Sequence, residues 1–353
     1  MTFRKKTDLT GLDIGSGAIK AAEIANTKTG SVLKKFGIIR ISPGIIEKGN
    51  INEPEVVAES IRALFSKYGI KNRNVAVSVG GPRVIVRKIS IRNKKEDEIH
   101  NLIRSEAEQY IPYNMEDINF DYRILEKQEE TPRHRDILIV AAPKNMTDSY
   151  VRVVEMAGLK PWIMDVDVLA LQNAFELNYK ITNQCIMLIH TGTGRTCLSV
   201  LKNNSLFFVQ DLDFGCGEIN KKIVSVIGCT LDQAEEIKLT RKSQFISEQD
   251  LKKITLLFAR EWCLEVSRAL DFFYSTYPDE TVNKIILSGG GANISEFREV
   301  LTDQTSADIR MMNPFKNFKT DKIRFTDSML KKLAPQAAIC MGLSVRRRNQ
   351  AGL

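Results

Sequence analysis

The sequence predicts a mixed α/β fold of two duplicated lobes, with a small α/β subdomain inserted in the first. Three observations lead there. A strand–turn–strand–strand–helix unit occurs twice, once from Leu9 and once from Cys185. Each unit opens with an apolar strand that runs into a glycine-containing turn. Between the units, a charged helical stretch with strands of its own interrupts the pattern. The 353 residues allow about two domains, or more if they are small.

Leu9 to Ile14 is largely apolar and bounded by a glycine turn, as a buried strand would be. Ala21, Ala22 and Ile24 continue a second strand, and Ile38 to Ile41 gives a third. Pro54 opens a helix, where its missing N–H costs nothing. Val57, Ile61, Leu64, Phe65 and Tyr68 share one face of it, and Gly69 stands where such a helix ends. Asn74 to Val79 and Val84 to Ile91 read as strands. Glu96 to Tyr110 is helical, with Ile99, Leu102, Ile103, Ala107 and Tyr110 on one face, and Pro112 stops it. Strands at Phe120 to Leu125 and Asp136 to Ala142 flank a polar loop, Glu126 to Arg135, and a helix from Met146 to Ala157 ends at Gly158.

From Pro161 the first pattern returns, with an apolar helix from Val168 to Leu177 and a buried strand from Cys185 to Ile189. Cys197 to Leu201 and Leu206 to Leu212 form a hairpin over Asn203-Asn204, a pair that tolerates positive φ. Ile219 to Ile227 is helical, and Thr230 to Tyr277 is almost wholly so, with Thr230 as N-cap. Lys284 to Leu287 is a strand, and the last helix runs from about Pro335 to Arg347.

Hydrophobic residues make up 43%, which suits packed cores rather than disorder. No stretch approaches the roughly 18 apolar residues a membrane span needs. Met1 to Asp8 is short, polar and basic, without the apolar core of a secretory signal. The expectation is a cytosolic chain that meets a membrane only through partners. None of the six cysteines forms a Cys-x-x-Cys pair, and only His100, His134 and His190 are histidines, which argues against disulfides and histidine-rich metal sites. The net charge of +8, with Arg346-Arg347-Arg348 near the end, fits nucleic acid or an anionic surface or acidic partner. No zinc-finger spacing or RNA-binding aromatic motif supports nucleic acid.

Three turns carry the candidate chemistry. In Asp13-Ile14-Gly15-Ser16-Gly17, followed by Lys20, glycines expose backbone N–H groups that can cradle phosphate, and Asp13 could hold a hydrated Mg²⁺. Alone, the motif fits an ordinary hairpin equally well. Thr191-Gly192-Thr193-Gly194-Arg195-Thr196 reads as a second phosphate turn or as a polar hairpin loop. Ser288-Gly289-Gly290-Gly291-Ala292 lets backbone lie flat against a ligand, or simply makes a sharp strand–helix turn. None is a Walker loop. Gly15-Ser16-Gly17, Gly192-Thr193-Gly194 and Gly215-Cys216-Gly217 lack the third glycine of a dinucleotide fingerprint.

The order of the turns resembles the superfamily of actin, the DnaK-type chaperones and the sugar kinases. The first two look like its phosphate loops and the third like its adenosine loop. Glu235 and Lys238 match its Glu-x-x-Lys helix beside the ribose and base, although a solvated i,i+3 pair would look the same. Ser105-Glu106-Ala107-Glu108-Gln109-Tyr110-Ile111-Pro112 resembles a signature of the PilM family of actin-like type IV pilus assembly proteins. Asp165-Val166-Asp167, Phe214-Gly215, Leu287 to Ala292, Asn313-Pro314-Phe315 and Ala334-Pro335 to Gly342-Leu343 agree with it.

The resemblance implies the fold of the cell-division protein FtsA. The first lobe would comprise residues 9–87, 159–181 and 334–348, with 88–158 inserted. The second lobe would comprise 182–225 and 284–333, with 226–283 mostly helical. It implies ATP and Mg²⁺ held by Asp13, Gly15, Ser16, Gly17, Lys20, Gly192, Thr193, Gly194, Thr196, Glu235, Lys238, Gly289, Gly290 and Gly291, with Asp13 as the metal anchor. It also implies docking of the PilN N-terminal peptide between the insertion and the first lobe. Tyr110, Ile111 and Pro112 either line that groove or belong to the core. Other pilus assembly-platform proteins, a peripheral place at the inner membrane and a homo-oligomer complete the expectation.

His190 stands where this family usually has Asp. A neutral imidazole cannot supply the carboxylate's charge, so slow or absent hydrolysis is expected. A sugar-kinase-like phosphotransferase is the competing enzyme reading, but no clear general base is visible for it. A filament former like FtsA would carry an amphipathic membrane helix, and none is read between Arg348 and Leu353.

Overall fold

The structure, a computed structural model, describes residues 8–28, 30–92, 96–125, 134–180, 183–203 and 205–347. Most of the polar loop after Leu125, Asn204 of the hairpin turn and Arg348 of the basic triplet lie outside the described residues.

The chain begins with β1 (Thr10–Ile14), β2 (Ala18–Thr27) and β3 (Gly30–Arg40), a short ladder of β4 (Ile46–Glu47) and β5 (Asn50–Ile51), α1 (Pro54–Tyr68) and β6 (Asn74–Val79). Next come β7 (Ile85–Arg92), α2 (Glu96–Ala107), β8 (Ile118–Ile124), β9 (His134–Pro143) and α3 (Lys144–Met156). β10 (Lys160–Val166) and α4 (Asp167–Asn178) follow. The second half runs through β11 (Cys185–Thr191), β12 (Thr196–Lys202), β13 (Ser205–Leu212), α5 (Gly217–Ile227), α6 (Leu231–Thr240) and α7 (Glu248–Thr276). It continues with β14 (Val282–Ser288), α8 (Ser295–Gln304) and β15 (Asp308–Met311). The short β16 (Lys319–Thr320), α9 (Asp327–Leu333) and α10 (Ala338–Ser344) bring the chain back to the first sheet.

The two large sheets share one plan. Their orders are β10-β6-β1-β2-β3-β16 and β13-β12-β11-β14-β15. In the first, β1–β2 and β2–β3 are antiparallel while β1–β6 and β6–β10 are parallel. In the second, β11–β12 and β12–β13 are antiparallel while β11–β14 and β14–β15 are parallel. The duplication legible in the pattern is therefore a duplication of topology.

Besides the two-residue β16, each sheet has an edge strand that the sequence reading lacked, β10 and β15. Both lie at sheet edges, where only one neighbour needs an N–H and polar residues are tolerated. β10 starts with Lys160 and Pro161 and bulges before Ile163, and β15 carries Asp308 and Arg310. β15 lacks the apolar run of a central strand, and that of β10 is confined to Trp162 to Met164.

Between β6 and β10, the strands order as β7-β9-β8 in an antiparallel sheet with its own core, built on Ile89, Ile103, Ile118, Ile137 and Ile139. Helix α3 turns instead into the first lobe's core through Met146, Tyr150, Val153 and Val154. The second lobe packs around Trp262, whose ring stacks on Phe297 at 4.7 Å.

The helix expected from Thr230 to Tyr277 is two helices, because Arg241 takes a left-handed φ of 58° and ends α6. Thr230 caps α6 in a reciprocal box with Gln233. Thr230→Ala is expected to cost ~1 kcal/mol, read as a lower urea midpoint with an unchanged slope. The last helix, expected from Pro335, begins as a 3₁₀ turn over Ala334–Ala337 before α10. Among the described residues, no helix is long and apolar enough to cross a membrane.

Candidate functional site

The two β-turns that open the lobes are built alike. Gly15 N–H donates to Ala18 O at 3.2 Å, and Gly192 N–H donates to Arg195 O at 2.8 Å. Asp13 faces Lys20 across β1–β2, and His190 faces Cys197 across β11–β12. Asp13 and His190 are thus equivalent positions of a duplicated turn, one acidic and one not.

The turns meet. A side chain on Gly17 would begin 2.0 Å from Thr193 Oγ1, and one on Gly194 would begin 3.2 Å from Ser16 Oγ. At Gly17 only a residue without a Cβ allows this approach, and at Gly194 a side chain would be tight against Ser16. The third turn packs behind the second: Gly289, at a φ of 84°, lies against the Thr191 carbonyl, and Gly291 lies against the Thr191 side chain. Gly290 is exposed and has open space where a side chain would start.

A fourth glycine loop joins them. Cys216 N–H donates to Gly192 O at 3.0 Å, and Gly217 N–H donates to Thr193 O at 2.8 Å. Sequence reading noted Gly215-Cys216-Gly217 only as a failed dinucleotide fingerprint. Two glycines at the start of α5, Gly215 just ahead of it and Gly217 opening it, were the available signal. The loop also links the second turn to α6, where buried Lys238 donates to Cys216 O at 3.2 Å and to the Glu235 carboxylate. Asn220 Nδ2 donates to the same carboxylate at 2.6 Å.

Thr196 does not join this surface. It is fully buried, donating its hydroxyl to Phe214 O at 2.8 Å and accepting from Trp262 Nε1 at 3.0 Å. Its place in the nucleotide set is corrected to an internal tie of the second lobe. Of Tyr110, Ile111 and Pro112, which either line the expected groove or belong to the core, Ile111 takes the core place. Ile111 is buried in the core of the β7-β9-β8 sheet, and Tyr110 and Pro112 face solvent. A cavity of about 380 Å³ does lie between that sheet and the first lobe, lined by Phe120 and Asp121 of β8, Asp148 and Val151 of α3, Trp162 of β10, and Arg346. Its polar wall is set by Arg346 Nε, which donates to Asp165 at 2.6 Å. A larger, shallow depression of about 540 Å³ at the ends of α1 and α3 is remote from the turns.

Charges gather where the turns meet. Lys20 Nζ donates to Asp13 Oδ2 at 2.9 Å. Burial lifts the Asp13 carboxyl above its usual range, Lys20 works against that lift, and Asp167 adds to it. Arg195, named in the second turn but given no role by the sequence, donates to Asp211 of β13 and to Asp167 of α4, and Ser78 of β6 donates to the same Asp167. Burial opposes the Arg195 charge, but Asp211 and Asp167 outweigh it and hold the guanidinium firmly protonated. Burial also raises the Asp211 carboxyl, with Arg195 opposing.

His190 is driven the other way. Burial first, then Lys20 and Arg195, push its pKa down to about 3, so the ring is neutral at neutral pH. Its Nδ1 lies 3.0 Å from Ser288 Oγ, which itself donates to Ile189 O at 3.2 Å. Because that hydroxyl proton is used, the network assigns the ring proton to Nδ1. Among the described residues, no three His, Cys, Asp or Glu side chains converge on a metal position.

The family model described as type IV pilus assembly protein PilM matches residues 11–348. Among solved structures, a PilM-PilN type IV pilus biogenesis complex superposes with a TM-score of 0.85 at 24% identity, covering 97% of this chain and 98% of that one. The ethanolamine utilization protein EutJ from Carboxydothermus hydrogenoformans superposes with a TM-score of 0.59 at 12% identity, covering 96% of this chain and 89% of that one. At these identities the likeness speaks for the fold, which is the actin-like two-lobed α/β fold expected from the order of the turns. With the family model spanning both lobes and all four glycine loops, the chain belongs to the type IV pilus assembly protein PilM family.

Proposed function

We propose that this chain is an ATP-binding scaffold of the type IV pilus assembly platform that docks the N-terminal tail of a PilN-type membrane protein. The observation that carries the nucleotide part is the contact of Gly17 with Thr193, which brings two duplicated glycine turns from opposite lobes to one point. Each turn offers backbone N–H groups of the kind that cradle phosphate. Lys20 adds a cation, Gly290 leaves an open backbone, and Glu235 and Lys238 border the second turn.

The donor set suits a hydrated Mg²⁺ only in part. Asp13 offers a hard oxygen, Oδ1, beside Gly15, while Oδ2 carries the bond to Lys20. His190 presents a nitrogen and no charge. Bound there, the ion would shield the phosphates and orient them, with Asp13 as its protein anchor. The residues do not supply a ready general base, since Asp167 and Asp211 both accept from Arg195. Hydrolysis is therefore proposed to be slow or absent, and turnover of about 1 s⁻¹ by the purified protein would overturn that part.

The cavity between β8, α3 and β10 is the proposed peptide groove, with an extended tail against its apolar wall and its charged groups meeting Asp121, Asp148 or Arg346. This reading includes the four-part division at residues 88, 159, 182, 226, 284 and 334. It also includes attachment at the inner membrane through the partner. Calorimetry with a PilN-type N-terminal peptide, with and without ATP, tests the docking, and no heat in either state would refute it. Asp13→Asn is expected to weaken Mg²⁺–ATP binding about tenfold, by loss of a charge-assisted contact, while leaving peptide affinity in the nucleotide-free protein unchanged. Equilibrium titration with a fluorescent nucleotide checks this.

A further inference from the structure

We infer that Arg195 is a positioning residue that latches the two lobes shut over the phosphate turns, so that nucleotide entry requires this latch to release. The consequence for nucleotide rests on the proposed function above; the latch itself does not.

The geometry is specific to one copy of the duplicated turn. Arg195 closes the second turn at the position that Ala18 holds in the first. One side of its guanidinium meets Asp211 of β13 in its own lobe. The other side crosses to Asp167 at the start of α4 in the opposite lobe, which Ser78 of β6 also holds. All three charged side chains are largely sheltered, with 20% exposure for Arg195, 17% for Asp167 and 15% for Asp211. The crossing point is kept clear by Gly80, where a side chain would start 2.2 Å from Arg195 Nη2 and 2.5 Å from Asp167 Oδ2.

Sheltered pairs of this kind differ from surface pairs, because separating them leaves a charge in a poorly solvated place. Two contacts farther out follow the same seam. Lys48 pairs with Asp213 but is well exposed, so it adds little. Lys88 of β7 lies 4.2 Å from the ring centre of Phe207 on β13, which brings the β7-β9-β8 sheet to the edge of the second lobe. A space of about 10 Å³, roughly one water, lies at the latch, lined by Val79, Val86, Val166 and Val209 together with Arg195, Asp167 and Asp211.

The latch and the turns act on the same gap. Gly17 packs against Thr193, so a phosphate chain entering between the turns is inferred to part them. Parting them pulls Asp167 from Arg195. An incoming phosphate is an alternative partner for that guanidinium, and can compensate for the loss. Release would also separate β7 from β13, which ties opening of the cleft to the sheet that walls the proposed peptide groove.

The test uses the full chain without nucleotide. Arg195→Met is expected to raise amide exchange in β7 and β13 about tenfold, while β9 and β14 stay protected, and to enlarge the radius of gyration seen by small-angle scattering. Arg195→Lys, which can keep only one of the two contacts, should fall between. If Arg195→Met does not fold, the near-isosteric Asp167→Asn gives the same readouts. The association rate of a fluorescent ATP analogue should rise several-fold in the variant. Unchanged exchange and scattering in a folded variant would overturn the latch. Increased opening with no nucleotide binding in any protein would keep the latch and overturn the nucleotide reading instead.

Discussion

Gly342→Ala is expected to destabilise the protein by ~3 kcal/mol or more, at the upper end of the cost of overpacking. In an ordinary helix the same change would stabilise by ~0.5–1 kcal/mol, so the sign itself is diagnostic. Helix α10 is gripped on two sides by backbone. A Cβ on Gly342 would lie 1.7 Å from the carbonyl oxygen of Ala170, which is fully buried in α4. On the other side, a Cβ on Gly11 of β1 would lie 2.0 Å from Cys340 O and 2.5 Å from Ser344 N. No side chain can rotate away to relieve the clash, so a helix or a strand must shift.

The shift would reach the site. Gly11 lies two residues before Asp13, and Pro335, just ahead of α10, accepts from Gly289 N–H at 2.7 Å. The closing segment of the chain therefore braces the first and third turns together. Urea unfolding of the variant measures the stability loss, and a midpoint equal to that of the parent protein would show that α10 slides freely.

Acidification is expected to weaken the parent protein more than its His190→Asn variant, by a few kcal/mol between about pH 7 and pH 4. The folded pKa is about 3, lowered by burial, then Lys20, then Arg195. An unfolded imidazole titrates near its ordinary ~6.5. Above that value the ring is neutral in both states and its contribution is complete. As pH falls, the unfolded chain takes up a proton that the folded one refuses, so stability drops by up to ~1.4 kcal/mol per pH unit until the folded ring titrates. The buried Asp13 and Asp211 carboxyls are shifted upward and act in the opposite sense. Both are present in parent and variant, so the difference between the two proteins isolates His190. Asparagine keeps an N–H donor for Ser288 while removing the titration. Parallel pH profiles of the urea midpoint would refute the burial of His190 among cations.

The same ring bears on chemistry. Asp13 and His190 are equivalent by topology, yet only one can attract a hydrated cation. The asymmetry was readable as a residue identity, but its strength came first from the burial of the ring and then from Lys20 and Arg195, which the fold brings near it.

What the sequence determined by itself was local in character. Apolar runs ending in glycine located β1, β11 and β14, because a turn with positive φ or close approach selects glycine wherever it occurs. Pro54 and Gly69 bounded α1 for equally local reasons, and Thr230 marked the start of α6. The repeated pattern and the order of the glycine turns were enough for a duplicated two-lobed fold. Tertiary structure decided which of these turns face one another and what lies between them. β10 and β15 escaped because an edge strand needs only one partner and so carries little apolar signature. Thr196 and Ile111 turned inward because burial depends on which element covers a position, not on the motif around it. Arg195 looked like one polar residue of a hairpin until Asp167, Asp211 and the gap at Gly80 surrounded it. Gly11 and Gly342 likewise have meaning only where two backbones touch. Such contacts join residues far apart in the chain, and no short-range periodicity records the register that brings them together.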